Sequence, residues 1–295
     1  MKSEPLITVA IPVFNGEQYI EMAVVSVLNQ TYGNLEILLL DDGSTDRSLE
    51  IIKQFHDSRI RVISDGKNQG LTYRLNETVR MARGEVYARM DADDLMVNTR
   101  LERQLEYLLN HPECDVVGSV AYVIDGGNKL TGIRGGNPFM EQGFTSILRR
   151  GGFMHPTVTG RTAWFRAHPY DTDAERCEDI ELWLRTADES HFAQIEEPLL
   201  FYREVGNQSA KVEKTSAGYR KILKGMSRTV KPQYRPLVKK QLRQAHVKIW
   251  VRRAAHKFGL EKQIVAARSQ RLTENQRQAG EAALQQALLG SNRGL

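Results

Sequence analysis

Cysteine is nearly absent: Cys114 and Cys177 are the only two in 295 residues. Two thiols cannot build a disulfide framework, so the chain reads as one that folds in a reducing cytoplasm. Long apolar runs are missing too. The longest are about five residues, far short of the ~20 that cross a bilayer. The opening MKSEPLITVAIPVF is too acidic, and its apolar part too short, for a secretory signal. Secretion and membrane spanning are therefore not expected. Acidic residues are scarce in the last 85 positions, where Glu213, Glu261, Glu274 and Glu281 face 20 Lys and Arg. Residues 1–210 hold 32 acids against 21 bases, so the net +5 joins an acidic body to a basic tail, with a boundary expected near 210. With 41% apolar and 26% charged residues, the chain is neither disordered nor low-complexity.

The first 125 residues alternate between strand and helix patterns. Thr8–Val13 is a short apolar run closed by Asn15-Gly16, and Ile20, Val24, Val27 and Leu28 then share a helical face. Glu36–Leu40 is a continuous apolar run cut off by Asp41-Asp42-Gly43-Ser44, the pattern of a strand buried on both faces. Ser44-Thr45-Asp46 offers caps for a helix through Phe55. Strands at 61–63 and 86–90 alternate with helices at 71–82 and 99–109. This order predicts an α/β, mostly parallel Rossmann-like sheet with flanking helices and ligands beyond the strands' carboxyl ends.

Polar residues gather at those ends. Asn15 and Glu17 follow the first strand, Asp41 and Asp42 end the second, and Lys67, Asn68 and Gly70 follow the third. Asp91, Asp93 and Asp94 end the fourth. In a parallel sheet all of them crowd one edge, where repulsion and burial both disfavour ionised carboxylates. A divalent cation relieves both, and an all-oxygen donor set favours Mg²⁺ or Mn²⁺ bridging substrate phosphates. Each cluster alone also fits a turn or a helix cap; carboxylates at both the second and the fourth strand end are what turn chemistry does not require.

The stretches VAIPVFNGEQYIEMAVVSVLNQTYGNLEILLLDDGSTDRSLEII and KNQGLTYRLNETVRMARGEVYARMDADD resemble family 2 glycosyltransferases over about residues 6–205. The resemblance implies a GT-A (nucleotide-diphospho-sugar transferase) fold and inverting transfer from a nucleotide sugar, usually a UDP-sugar, with Mg²⁺ or Mn²⁺. It implies that Pro12, Phe14, Asn15 and Glu17 frame the nucleotide and that Asp42 contacts the base. Lys67, Asn68 and Gly70 would lie near the nucleotide. Asp91 would sit at the ribose and metal, and Asp93 would coordinate the metal with Asp94 in support.

Cys177-Glu178-Asp179 resembles the family's ED motif at a helix start, where the carboxylate at Asp179 is the general base. In-line attack by an acceptor hydroxyl needs such a base, while metal and nearby cations stabilise the leaving diphosphate. A helix amino terminus favours an ionised Asp179. The alternative is that Glu178 and Asp179 only cap the helix. His155, in a Gly-flanked stretch, is a candidate for acceptor or diphosphate contact, with a structural hydrogen bond as the alternative. Trp183 is a candidate sugar-stacking surface or a core residue. Phe201-Tyr202-Arg203 with Asn207-Gln208-Ser209 resembles the family's closing segment, from which Arg203 would reach the diphosphate or form a surface ion pair. The Gln-x-x-Arg-Trp motif of processive synthases is absent, so a single-sugar transfer is expected.

The boundary separates a catalytic domain, 1–208, from a basic helical region, 209–295; the nucleotide half spans about 1–125 and the acceptor half about 126–208. In the tail Val238, Leu242, Ala245 and Ile249 form an apolar stripe among Lys239, Lys240, Arg243, Lys248, Arg252 and Arg253. That face either packs on the body or lies on an anionic membrane, at ~1 kcal/mol per Lys or Arg. Nucleic acid is not expected, for no recognition motif accompanies the charge. The stretch from Arg271 to Leu295, rich in Gln, Ala and Gly, is expected to fray. The expected partners are a nucleotide sugar and a glycan or lipid-linked acceptor of surface-polysaccharide or lipopolysaccharide assembly, with the protein peripheral on the inner face of the membrane. A metal-dependent nucleotidyltransferase and a non-catalytic lipid-binding module are the competing classes. The first would want a Gly-rich basic loop after the first strand, and the second would not need the acidic cleft.

Overall fold

The computed structural model describes residues 4–135, 143–174, 176–205, 208–257 and 269–290, without the side chains of 208–213 and 248–257. In chain order the strands are β1 (Ile7–Val13), β2 (Leu35–Asp41), β3 (Ile60–Ser64), β4 (Val86–Arg89), β5 (Leu95–Met96), β6 (Val116–Ile124), β7 (Leu130–Arg134), β8 (Thr159–Arg161) and β9 (Phe192–Arg203). The helices are α1 (Ile20–Leu28), α2 (Ser48–Lys53), α3 (Leu71–Met81), α4 (Arg100–Asn110), α5 (Phe144–Arg150), α6 (Thr162–Ala167), α7 (Glu178–Thr186), α8 (Gln208–Thr229), α9 (Arg235–Lys257) and α10 (Glu274–Ala287).

The sheet runs β3-β2-β1-β4-β8-β6-β9-β5, with β7 on β6. β2 is buried at every position, as its uninterrupted apolar run demands. The chain winds outward from β1 to β2 and β3, then returns to place β4 on the other side of β1. That reversal makes the β1/β4 boundary the point where an open α/β sheet holds its ligands. Pro12 is tolerated in β1 because it lies beyond the last β1–β4 pair, Ala10–Arg89, where no ladder bond is lost on that side.

The expectation of a mostly parallel sheet holds only for β3-β2-β1-β4. The pairs β4–β8, β6–β8, β6–β7 and β5–β9 are antiparallel, and β6–β9 is parallel, so the sheet is mixed. The cause for β7 is its connection: Asp125–Lys129, turning at Asn128 with φ +65, is too short for a crossover.

The carboxy-terminal helices bury apolar residues against the body. Leu223 of α8 and Val238 and Ala245 of α9 join a cluster with Phe144, Trp164 and Trp183. Of the expected stripe, Leu242 is half-buried, and the Ile249 side chain lies outside the described residues. The expected fraying after Arg271 is corrected: α10 is a capped, docked helix. Thr273 and Gln276 form a reciprocal capping box, and Leu284, Ala287 and Leu288 pack with Tyr19, Met22 and Tyr122. Asn29 Nδ2 donates to the carbonyls of Ala287 (3.1 Å) and Leu289 (2.9 Å) at the far end. Among the described residues no helix is long and apolar enough to cross a membrane.

Candidate active site

The loops after β1 and β2 are laced together. Backbone N–H groups of Asn15, Gly16 and Glu17 donate to Ser44 Oγ (3.1 Å), Ser48 Oγ (2.7 Å) and Asp46 Oδ2 (3.0 Å). In return Thr45 N donates to Asn15 Oδ1 (2.8 Å) and Arg47 N to Glu17 Oε2 (3.0 Å). Asn15 and Glu17 thus hold the neighbouring loop in place. Phe14, 50% exposed, is left as an apolar surface beside them.

Asp42 is buried and bonded through both of its oxygens. Its Oδ1 accepts from Gln69 N (2.7 Å) and Arg74 Nε (2.8 Å), and its Oδ2 from Gly70 N (3.0 Å). Through these bonds Asp42 anchors the loop after β3, and Gln69 and Gly70 line the cleft. Lys67 and Asn68 are exposed on that loop. Gly43, at φ +70, lets the β2 loop close on it: a Cβ there would stand 2.7 Å from the Lys67 carbonyl carbon.

The cleft occupies about 1000 Å³, and Arg89, Asp91, His155, Glu178 and Asp179 all line it. At the end of β4, carboxylate oxygens of Asp91, Asp93 and Asp94 lie within 4.8 Å of one another. Arg89, buried in β4, pairs with Asp91. Burial pulls the Arg89 guanidinium down, but Asp91, Tyr170, Glu178 and Asp94 outweigh it, raising Arg89 above its ordinary value. Asp94 is fully buried, and burial followed by Asp91 and Asp93 pushes it well above the usual carboxylate range. Its Oδ2 has no hydrogen-bond partner. An orphaned buried carboxylate oxygen beside two more carboxylates is the donor set a hard divalent cation fits.

Arg203 is placed differently from expectation. It is buried, its Nε donates to the Asp93 carbonyl (2.7 Å) and its Nη1 to the Asp125 carbonyl (2.8 Å). Its backbone N–H donates to Asp94 Oδ1 (2.8 Å), and its guanidinium lies 4.2 Å from the Tyr19 ring centroid. These bonds commit Nε and Nη1 to holding the aspartate turn, while Nη2 has no hydrogen-bond partner; being buried, Arg203 is not a surface ion pair.

α7 forms the other wall. Glu178, Asp179 and Glu181 in its first turn suit a helix amino terminus. Asp179 Oδ1 accepts from Ile180 N (2.7 Å). Burial nonetheless outweighs that bond and the nearby Arg89, so Asp179 is raised above its ordinary value, against the expectation that the helix keeps it low. Glu178 is pushed up to about 7, by burial first and the Asp179 charge second. Burial, then Arg89, holds His155 well below its ordinary value and therefore neutral; its 3.8 Å approach to Glu178 is polar contact rather than an ion pair. His155 Nε2 bonds the Tyr170 hydroxyl at 2.9 Å. Trp183 is corrected to a core residue: fully buried among Phe153, Trp164 and Phe192, it has no surface on which a sugar could stack. The chain at Gly152 passes so close that a Cβ would meet Trp183 Cδ1 at 2.3 Å.

The Glu178 shift has a stability consequence. Its proton is held more tightly in the folded protein, so the penalty is absent below about pH 4.5 and fully present above about pH 7. Glu178→Gln is therefore expected to stabilise the protein by about 3 kcal/mol at pH 8 and not at pH 4, a difference denaturant melts at the two pH values measure.

Arg89 and Arg176, which line the cleft, and Tyr170, which bonds His155, belong to no motif visible in the sequence. The readable signal was Arg89, a charge inside the otherwise apolar strand Val86–Met90.

The model of the family "Glycosyl transferase family 2" matches residues 8–172. The chain belongs to that family. An uncharacterized glycosyltransferase of Haemophilus influenzae is 31% identical over 227 residues, 72% of this chain and 69% of that protein. The Escherichia coli UDP-Glc:alpha-D-GlcNAc-diphosphoundecaprenol beta-1,3-glucosyltransferase WfgD is 32% identical over 43% of this chain and 49% of its own length. Among solved structures, Staphylococcus aureus TarS 1–349 with UDP-GlcNAc matches 96% of this chain and 81% of its own at TM-score 0.64 and 17% identity. The mannosyltransferase PcManGT of Pyrobaculum calidifontis, with GDP-Man and Mn²⁺, covers 98% of this chain and 88% of its own at TM-score 0.60 and 18% identity. Both structures share the fold. Membership makes this a glycosyltransferase with a GT-A fold and sets aside the nucleotidyltransferase and lipid-module classes.

Proposed function

We propose that the protein transfers one sugar, with inversion, from a UDP-sugar to a hydroxyl of a lipid-linked surface glycan. The observation that supports this reading is that Asp91, at the aspartate turn, and the half-buried carboxylate of Asp179 line the same cleft. Asp91 and Asp93 would hold Mg²⁺ or Mn²⁺, with Asp94 behind them, and such a cation would supply charge neutralisation for the departing diphosphate. Asp179 takes the proton of the attacking hydroxyl. Phe14, Gly70 and the loop carrying Lys67 and Asn68 frame the nucleotide. Donor choice draws support from WfgD and the TarS complex, whose names specify UDP-sugars, and the acceptor class from the diphosphoundecaprenol acceptor in the name of WfgD. The basic helices α8 and α9 hold the protein on the inner face of an anionic membrane.

A thermal-shift screen of UDP-, GDP- and dTDP-sugars with Mn²⁺ tests the donor. A bound donor at 100 times its Kd adds about 2.7 kcal/mol of stability, so UDP-sugars alone are expected to raise the melting temperature. Stabilisation by GDP-sugars instead would overturn the UDP assignment, and retention of the donor's anomeric configuration in the product would overturn inversion.

A further inference from the structure

We propose that Arg176 is a phosphate-binding residue at the mouth of the cleft, where it grips the phosphate of a lipid-carried acceptor. The proposal deepens, and rests on, the transferase reading above. Three guanidinium groups line the cleft: Arg89, Arg134 and Arg176. Arg89 is paired with Asp91 inside β4, and Arg134 with Glu204 at 3.1 Å. Arg176 is exposed, and among the described residues it makes no ion pair. Its backbone holds φ +61, a left-handed conformation that a bulky side chain rarely adopts, three residues before Asp179. A planar guanidinium in that place can bind two phosphate oxygens at once.

The surroundings say which kind of molecule brings the anion. The loop that carries Arg176 is fastened to α8: Cys177 Sγ donates to the Thr215 carbonyl (3.3 Å), and Lys221 Nζ to the Asp173 carbonyl (3.1 Å). Thr215 itself lines the cleft. From that point Lys214, Lys221, Lys224 and Arg228 are exposed along α8 at spacings of seven, three and four. At 100° per residue they fall within about 80° of one another, opposite the buried Leu223. Residues 208–257 hold fifteen Lys and Arg and a single acid, Glu213. A positive surface therefore begins at the cleft mouth and runs outward along one helix face. A soluble sugar has no use for such a surface. A glycan carried on a lipid phosphate does, because its anion sits between the reacting sugar and the bilayer.

The test titrates the protein, saturated with UDP and Mn²⁺, with geranyl diphosphate and with uncharged geraniol by calorimetry. Wild type is expected to bind the diphosphate and not the alcohol. Arg176→Ala should weaken diphosphate binding by about tenfold or more, the worth of a charge-assisted bond, with Arg176→Lys in between. Flotation with phosphatidylcholine vesicles containing phosphatidylglycerol separates the two sources of phosphate. Arg176→Ala should float like wild type, whereas Lys221→Gln/Lys224→Gln/Arg228→Gln should not. Equal diphosphate affinity in wild type and Arg176→Ala, or no diphosphate binding in wild type, would overturn the proposal. So would loss of flotation in Arg176→Ala with unchanged diphosphate affinity, which would make Arg176 a headgroup contact. Failure to bind UDP would count against the donor reading alone, since the diphosphate titration decides equally well on nucleotide-free protein.

Discussion

Asp179→Asn is expected to lower the transfer rate by about 10²–10⁴-fold, the usual worth of a positioned base, and to leave nucleotide-sugar binding unchanged. The substitution keeps the shape of the side chain and an oxygen to accept the Ile180 N–H, so the amino terminus of α7 survives. What it removes is the proposed proton acceptor. Single-turnover rates alongside donor binding measured on the same variant separate the two effects. Loss of donor affinity with an unchanged chemical rate would sink the assignment. The wild-type pH profile carries the same signature. With Asp179 as the base, its rise on burial should shift the acid limb upward from an ordinary aspartate's, the rate climbing as pH rises through it. Glu178, pushed up to about 7, adds a second inflection near neutrality. Glu178→Gln should erase that inflection and leave the lower limb, whereas Asp179→Asn should flatten the lower limb. The two carboxylates are adjacent, so the inflections belong to the pair and are assigned by these variants.

Much of this arrangement was legible in the order of residues, and the reasons are local. The run ending at Asp41 has the pattern of a strand buried on both faces, and the turn residues after β1, β2 and β4 mark where a parallel sheet collects its polar groups. The side-chain assignments were less legible because each depends on partners far away in the chain. Asp42 looks like a free carboxylate until Arg74, 32 positions on, folds against it. Arg203 looks like a surface cation until its Nε meets the Asp93 carbonyl, 110 positions back. Trp183 sits one turn beyond Asp179, and only the packing of Phe153, Trp164 and Phe192 around it shows that it faces the core. The antiparallel half of the sheet was hidden for the same reason: β8 pairs with both β4 and β6, and no local pattern states that. Tail composition misled in the opposite direction. A stretch rich in Gln and Ala reads as loose, yet a capping box and Leu284 and Leu288, four apart, are enough to dock α10.

Asp93→Ala and Arg203→Met should fail in opposite ways, although they touch the same turn. Without metal, Asp93→Ala relieves repulsion: the charge of Asp93 is one of the causes that push buried Asp94 up, so the apo variant should melt at or above the wild-type temperature. With Mn²⁺ and donor the order reverses. A bound cation contributes several kcal/mol to the charge developing on the leaving diphosphate, so the variant should lose about 10²–10³-fold in transfer and in metal-dependent donor binding. Arg203→Met leaves every carboxylate in place and removes what orients them. The Asp93 and Asp125 carbonyls lose their guanidinium partners, and each unmade buried bond costs about 1–3 kcal/mol. The cation–ring contact with Tyr19, which also packs against the α10 cluster, goes with them. Arg203→Met should therefore be destabilised by about 2–5 kcal/mol with or without metal, and saturating Mn²⁺ should recover part of its activity. Denaturant melts of both variants, each with Mn²⁺ and with chelator, give the comparison. An Arg203→Met protein as stable as wild type but unable to bind donor would return Arg203 to the diphosphate. An Asp93→Ala protein destabilised without metal would mean that the aspartate turn is a structural cap rather than a cation site.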